Sequence, residues 1–492
     1  ALKKRAKTRK SYHLLGLAPN VNFNVYRTSL TSIVRTIKER VFYVSDGKEG
    51  FVTPPKPDGK HIQQYCAKFI KEFSSRVHTV SPLTKDQFLG AYEGRRRTVY
   101  ENAFKSLHGN PLVKKDSILK YFLKVEKTNF TAKSNPVPRG ISPRDPRYHV
   151  SLGPFIKRIE HEVYNIVADI FGATTIAKGL NAQQRGNLLL DHWKCFTDPV
   201  AVGLDASRFD QHISEEMLKV EHSFYMRFYP ESNSLKRLLR WQCVNIGVAR
   251  VNDGIAKFKV KGTRASGDMN TALGNCLIMC MNVYSYMYSV DMDTSKFRLI
   301  NDGDDCVLIM ERSHLNKLTS LSKDFINLGF NMKVEAFVDI FEKIVFCQAQ
   351  PILTPEGAIL VRQVHVSLAK DCMSVKPLDS LGIFKKWTAA VGKGGMSLAG
   401  GLPILQDFYQ SFIRSSEGSK PLKNDPSQET GLEKLSKGMK RCYSNIATIT
   451  RVSFWRAFDI EPAKQTAIEA ELRKITIVYD PTFPASTHFR YL

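Results

Sequence analysis

The sequence is short of acid and uses cysteine without pattern. Its 492 residues carry 72 Lys and Arg against 47 Asp and Glu, a formal net charge of +25. Nine cysteines are scattered along the chain; none forms a CxxC pair, and no HExxH occurs. That odd, unpatterned set excludes a disulfide framework and a structural zinc site, and it points to a reducing compartment. No signal-peptide hydrophobic region follows Ala1, and an initiator Met is missing, so the reading is a processed or truncated piece of a longer product.

Long uncharged runs are scarce. One stretch, Met269 to Val290, has 22 residues without a charge, enough to span a bilayer. Asn270, Thr271, Asn275, Asn282, Ser285 and Ser289 interrupt it. At about 100° per residue, Thr271, Asn275 and Asn282 fall within about 40° of one another. A polar stripe on an apolar helix predicts a buried helix lining a site, not a membrane span.

What is present bounds the class. Hydrophobic content of 43% with 29 Phe excludes global disorder. The length allows about two to four domains or one multi-lobed enzyme. The charge favours a polyanionic partner, either nucleic acid or an anionic membrane surface. The first ten residues hold six basic residues and no acid and read as a basic tail. Between Lys114 and Arg158 there are 11 Lys and Arg against 3 acids, and Pro136, Pro138, Pro143 and Pro146 keep much of that stretch extended. Residues 61–77 carry Ile62, Tyr65, Phe69 and Phe73 at helical spacing. Beyond 370 the pattern is mostly helical, broken by a polar loop near 415–432. No internal repeat is found.

Three stretches carry chemistry. An apolar run, VAVGL, ends at Asp205 within DASRFD, as a buried strand with an acid at its tip would. A helix is expected from about Ile213. Residues 297–310 read as strand, tight turn, strand, with Asp302, Gly303, Asp304 and Asp305 in the turn. A GDD triplet arises by chance in roughly one chain in ten of this length. Two adjacent acids between buried strands are rarer, because carboxylates held together repel unless protons or a cation intervene. Mg²⁺ takes one or two carboxylates plus substrate phosphates. A pair of such ions about 4 Å apart serves in-line phosphoryl displacement. Between these acids, Ser266 and Gly267 precede the polar-striped helix with Thr271 and Asn275. Glycine there permits close approach of a substrate, and the Ser, Thr and Asn side chains offer neutral hydrogen bonds suited to a ribose hydroxyl.

Taken together, these residues make the sequence resemble the RNA-dependent RNA polymerases of positive-strand RNA viruses, within them the tombusvirus and carmovirus family of plant viruses. Asp205 and Asp210 match motif A (DxxxxD). Ser266, Gly267, Thr271 and Asn275 match motif B (SGxxxTxxxN). Gly303, Asp304 and Asp305 match motif C. Lys124 and Lys127 with Arg139 and Arg144 resemble motif F, the basic fingertip that holds incoming triphosphate. Residues 329–333 resemble motif D, with Lys333 as the general-acid candidate and Lys343 as the alternative; Phe346, Cys347 and Gln348 sit where motif E would be.

The resemblance implies an α+β right-hand fold of fingers, palm and thumb, the palm an antiparallel sheet backed by helices. Its expected boundaries are 1–196 for the N-terminal region and fingers, 197–234 for palm, 235–263 for a fingers insertion, 264–350 for palm and 351–492 for thumb. It implies RNA synthesis from NTPs on an RNA 3′-hydroxyl, with Asp205, Asp304 and Asp305 as metal ligands for Mg²⁺ (or Mn²⁺ as a substitute). Asp210, Ser266, Gly267, Thr271 and Asn275 would face the nucleotide and its ribose. Implied partners are an RNA template and product, NTPs and a viral accessory replication protein. The implied setting is a membrane-bound replication complex in the host cytoplasm, anchored through an N-terminal region absent from this chain. A reverse transcriptase or DNA polymerase is the rival reading; Asp210 with Asn275 argues against it, because a DNA-making enzyme must exclude the 2′-hydroxyl. A basic RNA-binding scaffold is the rival from another class.

Overall fold

The computed structural model describes residues 11–14, 17, 20–48, 50–133, 135–423, 432–480 and 485–486. The basic run before residue 11 and part of the polar loop near 415–432 lie outside the described residues.

A long helix, α1 (Pro146–Phe171), opens the main core. Asp145 caps it by accepting from the Arg147 N–H at 3.1 Å, and Pro146 occupies the first turn, where its missing N–H costs nothing. Gly172 ends it at φ +72°. Pro136, Pro138 and Pro143 stay outside helices, whereas Pro154 lies within α1.

Next come strand β1 (Pro199–Ala206) and helix α2 (Glu215–Phe228). Ser214 caps α2, its hydroxyl accepting from the Met217 N–H at 3.1 Å, while Glu215 and Glu216 lie in the first turn, where the helix dipole favours them. A long antiparallel ribbon follows, β2 (Val244–Val251) and β3 (Gly254–Lys261). Helix α3 (Thr271–Ser289) leads into the hairpin β4 (Phe297–Asp302) and β5 (Asp305–Glu311), and then β6 (Met332–Val334).

The central sheet has the order β4-β5-β1-β6, antiparallel throughout. Val200, Val202 and Leu204 enter the core shared with α1, α2 and α3, whereas Ala201, Ile300, Val307 and Ile309 pack on the opposite face with Leu189 and Phe346. With both faces covered, the strands read as continuous apolar runs rather than alternating ones. Helix α3 is buried along nearly its whole length, and among the described residues no helix is long and apolar enough to cross a membrane. The expected helix at 61–77 is split in two, Gly59–Tyr65 and Ala67–Ser74, with Ile62, Phe69 and Phe73 fully buried.

A second core gathers the C-terminal helices around the hairpin β7 (Ala349–Thr354) and β8 (Gly357–Arg362). Near the N-terminus, Tyr12 and His13 pair with Ser374 and Met373, and Tyr12 also with Ala485. The class is α+β, as expected from the sequence.

Candidate active site

Register brings the acids together. Asp305 on β5 stands opposite Asp205 on β1, and Asp205 in turn stands opposite Lys333 on β6. Asp302 pairs with Asp305 across the turn. Gly303 makes that turn possible at φ +80°, the first central position where a two-residue hairpin requires glycine-like geometry. The nearest atom to a Cβ built there is Asn275 Cβ at 3.8 Å, so backbone conformation and not space demands the glycine.

The acids differ in their surroundings. Asp302 is ion-paired to Lys178 and to Arg185, the latter at 2.6 Å. Its carboxyl lies below the usual range because these two cations outweigh its burial. Asp305 accepts from the Cys347 N–H at 3.0 Å. Burial, then repulsion from Asp304, Asp302 and Asp205, nevertheless pushes its pKa up to about 7. Asp304 opens to solvent at the turn, yet the protein around it raises its pKa, burial first and the Asp210 charge second. The backbone that holds Cys347 toward Asp305 is unusual: Cys347 and Gln348 both adopt left-handed conformations, at φ +51° and +62°.

Asp210 belongs to a second network. Asn275 donates from Nδ2 to its carboxylate at 2.8 Å. Arg264 fixes the amide by donating from Nε to Asn275 Oδ1 at 3.0 Å, and it is itself ion-paired to the fully buried Glu221. Burial, the largest influence, raises the Asp210 pKa against the opposing Asn275 hydrogen bond and the Arg264 charge. Asn275 on α3 thus pairs directly with Asp210, which lies just past β1.

Most other site residues are held by partners within the protein. Ser266 does not join Asp210; its hydroxyl accepts from the Ser142 N–H at 3.2 Å and lies 3.4 Å from the Ser142 hydroxyl. Gly267 approaches protein and not an open ligand space: a Cβ there would lie 2.6 Å from Pro143 Cα. Thr271 donates to the Ala265 carbonyl at 2.7 Å and braces the turn before α3. Arg144 is no phosphate ligand here. It is 2% exposed, ion-paired to Asp268 at 2.5 Å, and it donates to the Ser117 carbonyl and to Asn245. Lys124 pairs with Glu126 at 3.0 Å, and Lys127 donates to the Lys370 carbonyl at 2.8 Å. Arg139 stays exposed, 3.7 Å from Glu126, and its charge lowers the pKa of both Asp210 and Asp304. Of the two lysines left open, Lys343 is engaged with Asp459 at 2.7 Å, whereas Lys333 is exposed and opposite Asp205.

Among the described residues no three His, Cys, Asp or Glu side chains form a ready-made metal cage. The donor set nonetheless fits a hard divalent cation. Two carboxylates, Asp304 and Asp305, have pKa values raised by burial first and by neighbouring carboxylates second, a repulsion that a bound cation would relieve, and Asp205 lies beside them. Mg²⁺ needs only one or two carboxylates when phosphates and water supply the rest. Lys178, Arg185, Arg264 and Glu221 escaped sequence reading, because each acts through a partner distant in the chain.

The chain matches the family model described as "Viral RNA dependent RNA polymerase" over residues 1–479. It is 41% identical over 483 residues to the RNA-directed RNA polymerase of Tobacco necrosis virus (strain A), covering 98% of this chain and 66% of that protein. With the RNA-directed RNA polymerase of Melon necrotic spot virus it shares 40% identity over 474 residues, 96% of this chain and 59% of the relative. With that of Turnip crinkle virus it shares 37% over 484 residues, 97% and 61% respectively. The chain thus spans less than two thirds of the length of these curated relatives.

Proposed function

Because this chain belongs to the viral RNA-dependent RNA polymerase family, with relatives in tombusviruses and carmoviruses, we propose that it is an RNA-templated nucleotidyl transferase of a positive-strand RNA virus. In this reading the four-stranded sheet and its helices are the palm. The β2–β3 ribbon and the basic 114–158 stretch belong to the fingers, and the C-terminal helices form the thumb.

The reaction joins the RNA 3′-hydroxyl oxygen to the α-phosphorus of an NTP; the bond to the bridging oxygen breaks and pyrophosphate leaves. Asp205, Asp304 and Asp305 would hold the divalent cations, Mg²⁺ with Mn²⁺ as a substitute, which when bound stabilise charge on the attacking and leaving oxygens. Arg139, with Lys124, would neutralise the triphosphate; the exposure of Arg139 supports this role. Asp210, oriented by Asn275, accepts from the ribose 2′-hydroxyl. Lys333 can protonate the departing pyrophosphate. An RNA template, an accessory replication protein and work at membrane-associated sites in the host cytoplasm belong to the same proposal, and their support is the family resemblance.

The observation that carries this reading is the register line Asp305, Asp205, Lys333 beside Asp304 at the hairpin turn. It is tested by incorporation of labelled NTP on a synthetic RNA template, with and without Mg²⁺. Incorporation that persists in a chelator, or in Asp304→Asn, would overturn it.

A further inference from the structure

The sequence concentrates positive charge at 114–158, but the fold largely neutralises it there. Seven of those eleven cations are held in ion pairs. The β2–β3 ribbon is the opposite case. Arg250, Lys257, Lys259 and Lys261 are all exposed, and none has an ion-pair partner among the described residues. The ribbon's single carboxylate, Asp253, is turned away, accepting from the Leu30 N–H at 3.0 Å.

These cations share one face. Val244 stands opposite Lys261, Ile246 opposite Lys259, Val248 opposite Lys257, and Ile255 opposite Arg250. The intervening pairs turn inward, where Ala249 and Phe258 pack with Ile33 and Ile37. Lys120, on a parallel neighbouring strand, lies beside Val248. Phe122, two residues further on, takes the same outward direction by strand alternation and is 45% exposed. Tyr121 between them points inward, edge-on to Phe258. The result is one outward face with lysines about 6.8 Å apart along the strand, aliphatic side chains between them and an aromatic ring at its border.

We propose that this outer face is a landing surface for single-stranded RNA, separate from the strand-tip carboxylates. It rests on the polymerase reading for the identity of the polyanion. A linear row of cations at one spacing suits a linear chain of phosphates, and an exposed ring offers a base a stacking platform. A bilayer is a poorer match: the exposed aliphatic side chains lie level with the lysine stems on a sheet and do not project from an amphipathic helix. Lysines on β3, the sheet edge, also deter edge-to-edge pairing. That duty explains neither Arg250 on the central strand nor the exposed Phe122.

The test uses the full chain and a fluorescein-labelled oligouridylate titrated across a salt series. The Lys257→Gln/Lys259→Gln/Lys261→Gln variant should lose about two units of the slope of log affinity against log salt, at about 0.7 per phosphate contact. The corresponding triple Lys→Arg variant should keep the wild-type slope. Phe122→Ala should weaken binding about tenfold with the slope unchanged. Extension of a pre-annealed hairpin template at saturating concentration should be unaffected in all three. Asp304→Asn should show the reverse, binding with the wild-type slope and failing to extend; if it extends normally, the catalytic reading fails while the landing surface stands. An unchanged slope in the triple Gln variant would overturn the proposal. So would unchanged RNA affinity accompanied by lost binding to phosphatidylserine vesicles, which would make this a membrane face. Light-scattering aggregation as the sole effect would reduce the lysines to edge protection.

Discussion

At the residue scale, the site separates acids that are already compensated from acids that are not. Asp302 has two cations and Asp305 a backbone N–H, whereas Asp304 faces solvent with only distant charge to help it. Asp304→Asn keeps the shape and removes the charge, so NTP incorporation should fall at least about a hundredfold, or about 3 kcal/mol of barrier. Its melting temperature should hold or rise, because one member of a repelling group is gone. Near-normal incorporation in this variant would end the catalytic assignment. Sugar selection is a second residue-scale matter. The chain Glu221, Arg264, Asn275, Asp210 leaves one carboxylate oriented by an amide that cannot rotate freely. A site built around a hydroxyl rejects the analogue lacking it, by about 1–3 kcal/mol per unpaired partner. Asn275→Ala and Asp210→Ala should therefore narrow the ratio of kcat/KM for GTP over dGTP about tenfold or more, mainly through poorer GTP use. Equal losses for both substrates would make the pair structural.

At the scale of elements, legibility tracked how local each signal was. The Asp205 strand and the hairpin at 297–311 were readable because apolar runs and a turn lie side by side in the chain. The face shared by Thr271 and Asn275 followed from helical period alone. The family resemblance groups Arg144 with the phosphate-binding cations, whereas its partners, Asp268, Asn245 and the Ser117 carbonyl, come from other segments and bury it. The contact of Ser266 with Ser142, 124 residues earlier, is equally absent from any local pattern. No local pattern announces a pairing across such distances. These two contacts, with Gly267 pressed on Pro143, fasten the extended 140–144 strip to the turn before α3. Removing one half of a buried ion pair leaves the other charge uncompensated, at a cost of about 3–5 kcal/mol. Arg144→Met should accordingly lower stability to chemical denaturation by about that amount, and Arg144→Met/Asp268→Leu should recover much of it. If Arg144→Met instead unfolds like wild type and raises the KM for NTP, Arg144 is a phosphate ligand after all.

For the whole molecule, stability should depend on acid through histidines buried in its cores. His222 donates from Nε2 to Gln242 Oε1 at 3.1 Å within the buried Glu221, Arg264 and Asn270 network. Burial pushes its pKa down to about 4, against the opposing pull of Glu221. His192, packed beneath the central sheet, is likewise held at about 4 by burial first and the Arg298 charge second. An unfolded histidine titrates near 6.5. Between about 6.5 and 4 the unfolded chain therefore binds more protons than the native one, so stability rises with pH across that window. The contribution is fully present above about pH 6.5 and is lost as pH falls toward 4, amounting to roughly 3 kcal/mol per histidine at the lower limit. Urea unfolding at a series of pH values should show this loss in wild type. His222→Gln, which keeps a polar group able to bond Gln242 but cannot charge, should be less stable than wild type at neutral pH by about 1 kcal/mol and distinctly less sensitive between pH 6.5 and 4. Parallel pH profiles for the two proteins would show that His222 does not couple folding to protons, and that acid sensitivity in this range arises elsewhere.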